Sequence, residues 1–165
     1  ARDKWTSKVP VMAMVERGGQ VRSRVLADVT AKTLQTAIAE TVDERARIMT
    51  DENKAYSGVG RWYEGGHQTV NHSRKEYVRG DVSTNTVEGY FSIVKRGLNG
   101  IYHSVSKKHL HRYLAEYEFR YNGRKLEDGE RVVAAIQAAD RKRLKYRAPI
   151  SSEATRKPVQ LEPAI

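Results

Sequence analysis

Hydrophobic positions recur with two different periods along this chain. Between residues 21 and 29 they alternate, with Val21, Ser23, Val25 and Ala27 on one face against Arg22, Arg24 and Leu26, which predicts a half-buried strand. The run before it, KVPVMAMVE at 8–16, is apolar without alternation and predicts a strand covered on both faces. RGGQ separates the two, and a glycine pair supplies the positive φ angles of a tight turn, so the expectation is an antiparallel hairpin. The period then lengthens. Thr30 is placed to cap a helix whose apolar positions are Leu34, Ala37, Ile38 and Val42. Short strands are predicted at 46–50, ending on the acidic pair Asp51 and Glu52, and at 67–72, set off by Gly65 and Gly66.

A polar loop, SRKEYVRGDVST, leads into the best amphipathic stripe of the chain: Val87, Tyr90, Phe91, Val94 and Leu98. Two further helices are predicted, at 107–122 with Ser106 as cap and at 130–144 with Val132, Val133, Ile136 and Ala139 in register. From Ala148 onward, with Pro149, Pro158 and Pro163, the tail reads as irregular. Strands first and helices collected at the C-terminal end describe an α/β or α+β sandwich. A domain over 1–147 followed by a tail at 148–165 is the simplest division.

Composition narrows the chemistry. The 165 residues are 39% hydrophobic, and none is cysteine, which excludes disulfides, thiolate metal sites and cysteine nucleophiles and fits an intracellular protein. The mean hydropathy is -0.70, and no run approaches the roughly 20 apolar residues of a membrane-spanning helix. A net charge of +10 points to a polyanionic partner, nucleic acid before an anionic membrane surface.

Three features carry candidate chemistry. Asp51 at a strand end and Glu88 in the first turn of a helix are oxygen donors on separate elements, which suits a hard divalent cation. Spacing alone leaves a rival reading open, because Asn85 with Glu88 three residues later also matches a capping box. The histidines show no zinc-type spacing, and His72, at a strand end beside the polar loop, is the one best placed to act. Lys95, Arg96, Lys107, Lys108 and Arg112, followed by RKRLKYR at 141–147, form a basic series suited to phosphates.

The segments MTDENKAY, VNHSRKEY and STNTVEGYFSIVKRGLNGIYHSVSKKHLHRYLAEYEFRYN together resemble the DDE-type transposase domain of bacterial insertion sequences, the ISXO-like group, from about Lys8 to Arg124. The resemblance implies an RNase H-like fold, a mixed five-stranded sheet flanked by helices with three acidic residues holding two Mg²⁺ or Mn²⁺ ions. It implies DNA strand cleavage and transfer, a homo-oligomer that synapses DNA ends, no membrane, and a bacterial cytoplasmic, nucleoid-associated setting. The second acid of the family falls on Asp51 and the last on Glu88, which become the catalytic and metal-binding candidates. Asn71, His72 and Asn85 become supporting candidates around them. In the family the first acid lies on a strand ahead of the hairpin at Lys8, and neither Asp3 nor Asp28 replaces it, so the expectation is a domain lacking its first strand. Two rivals stand beside this reading: a non-catalytic DNA-binding remnant, and an RNase H-like nuclease or junction resolvase.

Overall fold

The valine-rich runs and the Gly-Gly turn build a hairpin on which the rest packs. In the computed structural model, which describes residues 8–140, Lys142 and the backbone of 160–164, β1 (Lys8–Val15) and β2 (Val21–Val25) pair antiparallel, Val11 opposite Val25 and Val15 opposite Val21. Gly18 supplies the positive φ, 73°, that the turn requires. β2 ends at Val25 rather than continuing to 29. The Asp28 side chain accepts from the Thr30 N–H at 3.0 Å and turns the chain into α1 (Ala31–Ala39), capped by Thr30 as its sequence predicts.

β1 explains its own lack of alternation. Val9 and Val11 face a cluster built from Tyr90, Phe91, Val94, Leu98, Leu110, Leu114 and Tyr117. Met12 faces the other way, into Leu26, Leu34, Ala37, Ile38, Ile48 and Tyr56. The strand is therefore sandwiched between α1 on one side and α2 (Asn85–Gly100) with α3 (Leu110–Asn122) on the other. Each leucine fully buried in these layers contributes about 1.5–3 kcal/mol.

Beyond α1, β3 (Ile48–Thr50) and β4 (His67–Thr69) pair in parallel, shorter than the strands expected at 46–50 and 67–72. The segment between them folds into two single 3₁₀ turns, Lys54–Tyr56 and Val59–Trp62, which carry Tyr56, Val59 and then Tyr63 into the core. A small hairpin, β5 (Val78–Arg79) with β6 (Val82–Ser83), lies inside what reads as a polar loop. α4 (Asp128–Ala139) starts before residue 130 because the Glu130 carboxylate accepts from the Glu127 N–H at 3.0 Å. It stops at Ala139, short of 144, and Val132, Val133 and Ile136 are exposed rather than packed. The basic run 141–147 lies outside the described residues except for Lys142, as does the tail from 148 to 159. The end of that tail is a strand, β7 (Gln160–Ala164), parallel to β1 with Ala164 opposite Met12.

Among the described residues the strands fall into the sets β2-β1-β7, β3-β4 and β5-β6, and no single five-stranded sheet joins them. What separates the first two is a cleft of about 780 Å³, lined by Met12 to Arg17 on one side and Ala46 to Thr50 on the other. The outer edge of β2 is closed differently. Asn122 on α3 donates to the Val21 carbonyl at 3.1 Å and accepts from its N–H at 2.7 Å, while Glu118 accepts from the Ser23 N–H and hydroxyl. Side chains of α3 thus stand where another strand would, and the open side of this sheet faces the cleft.

Packing between α2 and α3 is tight at one point. A Cβ added at Gly97 would collide with the hydroxyl of Tyr117. Gly97→Ala is expected to destabilise the fold by roughly 1–3 kcal/mol in urea titration, with part of the loss recovered by Tyr117→Phe.

Candidate functional site

The site begins where β3 runs out. Thr50 is buried, its hydroxyl donating to the Asp51 carbonyl at 2.7 Å and lying 2.9 Å from His67 Nε2. The Asp51 carboxylate accepts from the Asn53 N–H at 3.0 Å, which bends the chain out of the strand. Asp51 is half-buried, and that burial pushes its carboxyl above the ordinary range, opposed by the Asn53 N–H.

Glu52 does something different from its neighbour. Its carboxylate accepts from the Ser73 hydroxyl at 2.6 Å and from the N–H groups of His72 and Ser73 at 2.9 and 3.0 Å. The Ser73 hydroxyl leads these in holding its pKa down to about 2. The acidic pair is therefore divided: Glu52 anchors the following loop, and the Asp51 carboxylate makes no hydrogen bond or ion pair with another side chain among the described residues.

The anchored loop presents His72. Asn71 accepts from the Arg74 N–H at 3.0 Å through its side chain, capping a single 3₁₀ turn over His72–Arg74. His72 Nε2 lies 3.0 Å from the Thr84 hydroxyl and 3.5 Å from Glu88 Oε1. Thr84 has one hydroxyl proton and directs it to Glu88 Oε1 at 2.7 Å, so the His72 nitrogen is the donor in its contact with Thr84. His72 also acts on Asp51, its positive charge when protonated drawing that carboxyl down.

The capping box expected from Asn85 and Glu88 does not form. Thr84 is the N-cap of α2, which puts Glu88 one position past the residue that would return a bond to the cap. Its carboxylate is held by the Thr84 side chain instead and is partly exposed, and Thr84, like Thr50, lines the cleft.

Of the sequence-predicted set, the structure brings His72 to Glu88, with Asn71 capping the turn that carries His72 and Asp51 next in sequence to the Glu52 that anchors that turn. Asn85 is exposed at the first position of α2 and touches neither carboxylate among the described residues. Arg96, Lys107, Lys108 and Arg112 are exposed and Lys95 is half-buried. Lys95, Arg96, Lys108 and Arg112 make no ion pair among the described residues, whereas Arg124 and Lys125 are spent on the carbonyls of Gly19 and Gly18. Thr84 escapes a reading of the sequence, since a threonine in a polar run carries neither charge nor period. The role of Glu52 was visible only as half of an acidic pair. Among the described residues no group of three or more His, Asp or Glu side chains is arranged to hold a metal ion.

An ISXO2-like transposase domain family matches residues 1–122. A protein described as uncharacterized, in transposable element ISH50 of Halobacterium salinarum, is 31% identical over 114 residues, covering 68% of this chain. The chain spans 38% of the length of that relative. No solved structure matches it, and no helix among the described residues is long and apolar enough to cross a membrane.

Two outcomes follow from this geometry. Because the folded state raises the Asp51 pKa, it binds the proton more tightly than the unfolded chain, and stability falls as pH rises through that window. Asp51→Asn is therefore expected to raise, not lower, the thermal midpoint at pH 7 without added metal, with the difference vanishing below about pH 3. Glu52→Ala is expected to speed amide exchange at His72 and Ser73 by about 10-fold or more, leaving exchange in β1 unchanged.

Proposed function

The chain belongs to the ISXO2-like transposase domain family, and on that premise we propose that Asp51 and Glu88 are two carboxylates of a metal-dependent DNA strand-cleavage and strand-transfer site. The observation that supports this is the loop anchored by Glu52, the residue after Asp51, which sets His72 3.5 Å from the Glu88 carboxylate. Carboxylate oxygens without thiolates suit Mg²⁺ or Mn²⁺, and Asp51 and Glu88 would hold such ions. When bound, two divalent ions supply Lewis acidity on either side of the reacting phosphate.

The protein's own groups do the rest. Glu52 fixes the loop, His72 and Thr84 hold the Glu88 carboxylate in one orientation, and the half-buried setting of Asp51 favours neutralisation by a cation. A strand seated in the cleft would lie between Ala13–Val15 and Ile48–Thr50. Lys95, Arg96, Lys107, Lys108 and Arg112 would hold DNA phosphates, setting affinity rather than sequence choice. Synapsis of DNA ends would join two or more copies.

That no group of three His, Asp or Glu side chains among the described residues is arranged to hold a metal supports one second reading, a DNA-binding remnant that no longer cuts. Nicking and strand transfer on plasmid DNA with Mg²⁺ or Mn²⁺ test the two together. We expect the wild-type protein to be active, Asp51→Asn and Glu88→Gln each to lose at least about 100-fold, and His72→Ala about 10- to 100-fold. Unchanged activity in both carboxylate variants would refute the assignment. Tight DNA binding with no cutting by the wild-type protein would favour the remnant. Lys108→Ala and Arg112→Ala should each flatten the dependence of log affinity on log salt by about one unit.

A further inference from the structure

The loop that presents His72 also presents an aromatic ring that the site chemistry leaves unused. Lys75 takes a left-handed backbone conformation, φ 59°, and reverses the chain. Glu76 then closes the loop, its N–H donating to the Asn71 carbonyl at 2.9 Å and its carboxylate accepting from the Asn71 N–H at 3.3 Å. This closure lays Tyr77 against His72, ring centroids 5.3 Å apart. Tyr77 is nevertheless 53% exposed and its hydroxyl makes no hydrogen bond among the described residues. Arg74 and Lys75 beside it are exposed and make no ion pair among the described residues.

An aromatic ring held out to solvent by a strained, hydrogen-bonded loop needs a reason, because burying it would stabilise the protein. Its neighbours supply one. Unpaired cations attract a phosphate chain, and an exposed ring with one side braced by an imidazole offers the other to a planar partner. We propose that Tyr77 is a stacking platform for an unpaired nucleobase of a DNA strand whose backbone is held by Arg74 and Lys75. The inference rests on the proposed DNA-processing function and adds the form of the substrate. A base inside a duplex has both faces covered, so the platform selects a single-stranded flank or an extruded base beside the reacting phosphate. Tyr77 is a positioning residue here: it holds the strand and does no chemistry.

The test compares two oligonucleotides of equal length with the full chain, a blunt duplex and a duplex carrying a single-stranded flank with 2-aminopurine in it. Wild-type protein should bind the flanked DNA more tightly and quench the 2-aminopurine. Tyr77→Ala should weaken flanked binding by roughly 5- to 150-fold and abolish the quench, while blunt-duplex affinity stays within about 2-fold. Tyr77→Trp should retain both signals, and the thermal midpoint of each variant guards against a folding effect. Equal loss on both DNAs, or an intact quench in Tyr77→Ala, overturns the platform. If Lys108→Ala weakens binding to both DNAs while Tyr77→Ala changes neither, the platform falls and the DNA-binding reading stands. If the wild-type chain binds neither DNA, both fall.

Discussion

Everything in this molecule is arranged around a strand covered on both faces. β1 turns Val9 and Val11 toward α2 and α3 and Met12 toward α1, so two hydrophobic clusters that share no side chain are joined through one backbone. Such a strand cannot shift by one residue without sending each side chain into the wrong cluster. Its register is therefore well defined, and the hairpin partner, the helices above and below, and the cleft on its open side inherit their positions from it.

The candidate site sits one layer further out and is held by a different physics. β3 and β4 contribute only three residues each, too few to order a site by backbone pairing alone. Order comes instead from side chains that return to the main chain, Glu52 to His72 and Ser73 and Asn71 to Arg74, and from the Arg47 guanidinium, which donates to the Asp81 carboxylate through paired bonds of 2.6 and 2.9 Å. Arg17 reaches across from the hairpin turn to the Asp81 carbonyl at 2.7 Å and ties β1 to the same region. These ties leave the cleft between β1 and β3 unfilled along Ala13–Val15, while β7 takes the edge below it.

Features with a repeating physical cause were legible in the sequence. The stripe on α2, the Thr30 cap and the double-sided burial of β1 all follow from period or capping chemistry, and the structure has them. Asp51 and His72 stood out because charged or titratable groups at strand ends have few structural reasons to be there. Other parts have no period to detect. The two 3₁₀ turns and the two-residue strands β5 and β6 are shorter than any hydrophobic repeat. The exchange of Glu88 from cap to Thr84 partner turned on a helix boundary one residue away from the expected one, which is finer than propensity resolves. The exposure of Val132, Val133 and Ile136 on α4 is a matter of what packs against that helix, and an amphipathic pattern does not name its partner.

The closing of β2 by α3 has a consequence for how the chain is made. Val21 and Asn122, which exchange two hydrogen bonds, are 101 positions apart in sequence. At ~5–20 residues per second of synthesis, the hairpin leaves the ribosome ~5–20 s before the helix that covers its edge. A β-hairpin forms within ~1–10 μs, so for nearly all of that interval a folded edge stands open. Arg22 and Arg24, pointing to solvent from that same strand, are the charges present throughout the wait, and they guard it against pairing with a neighbouring chain.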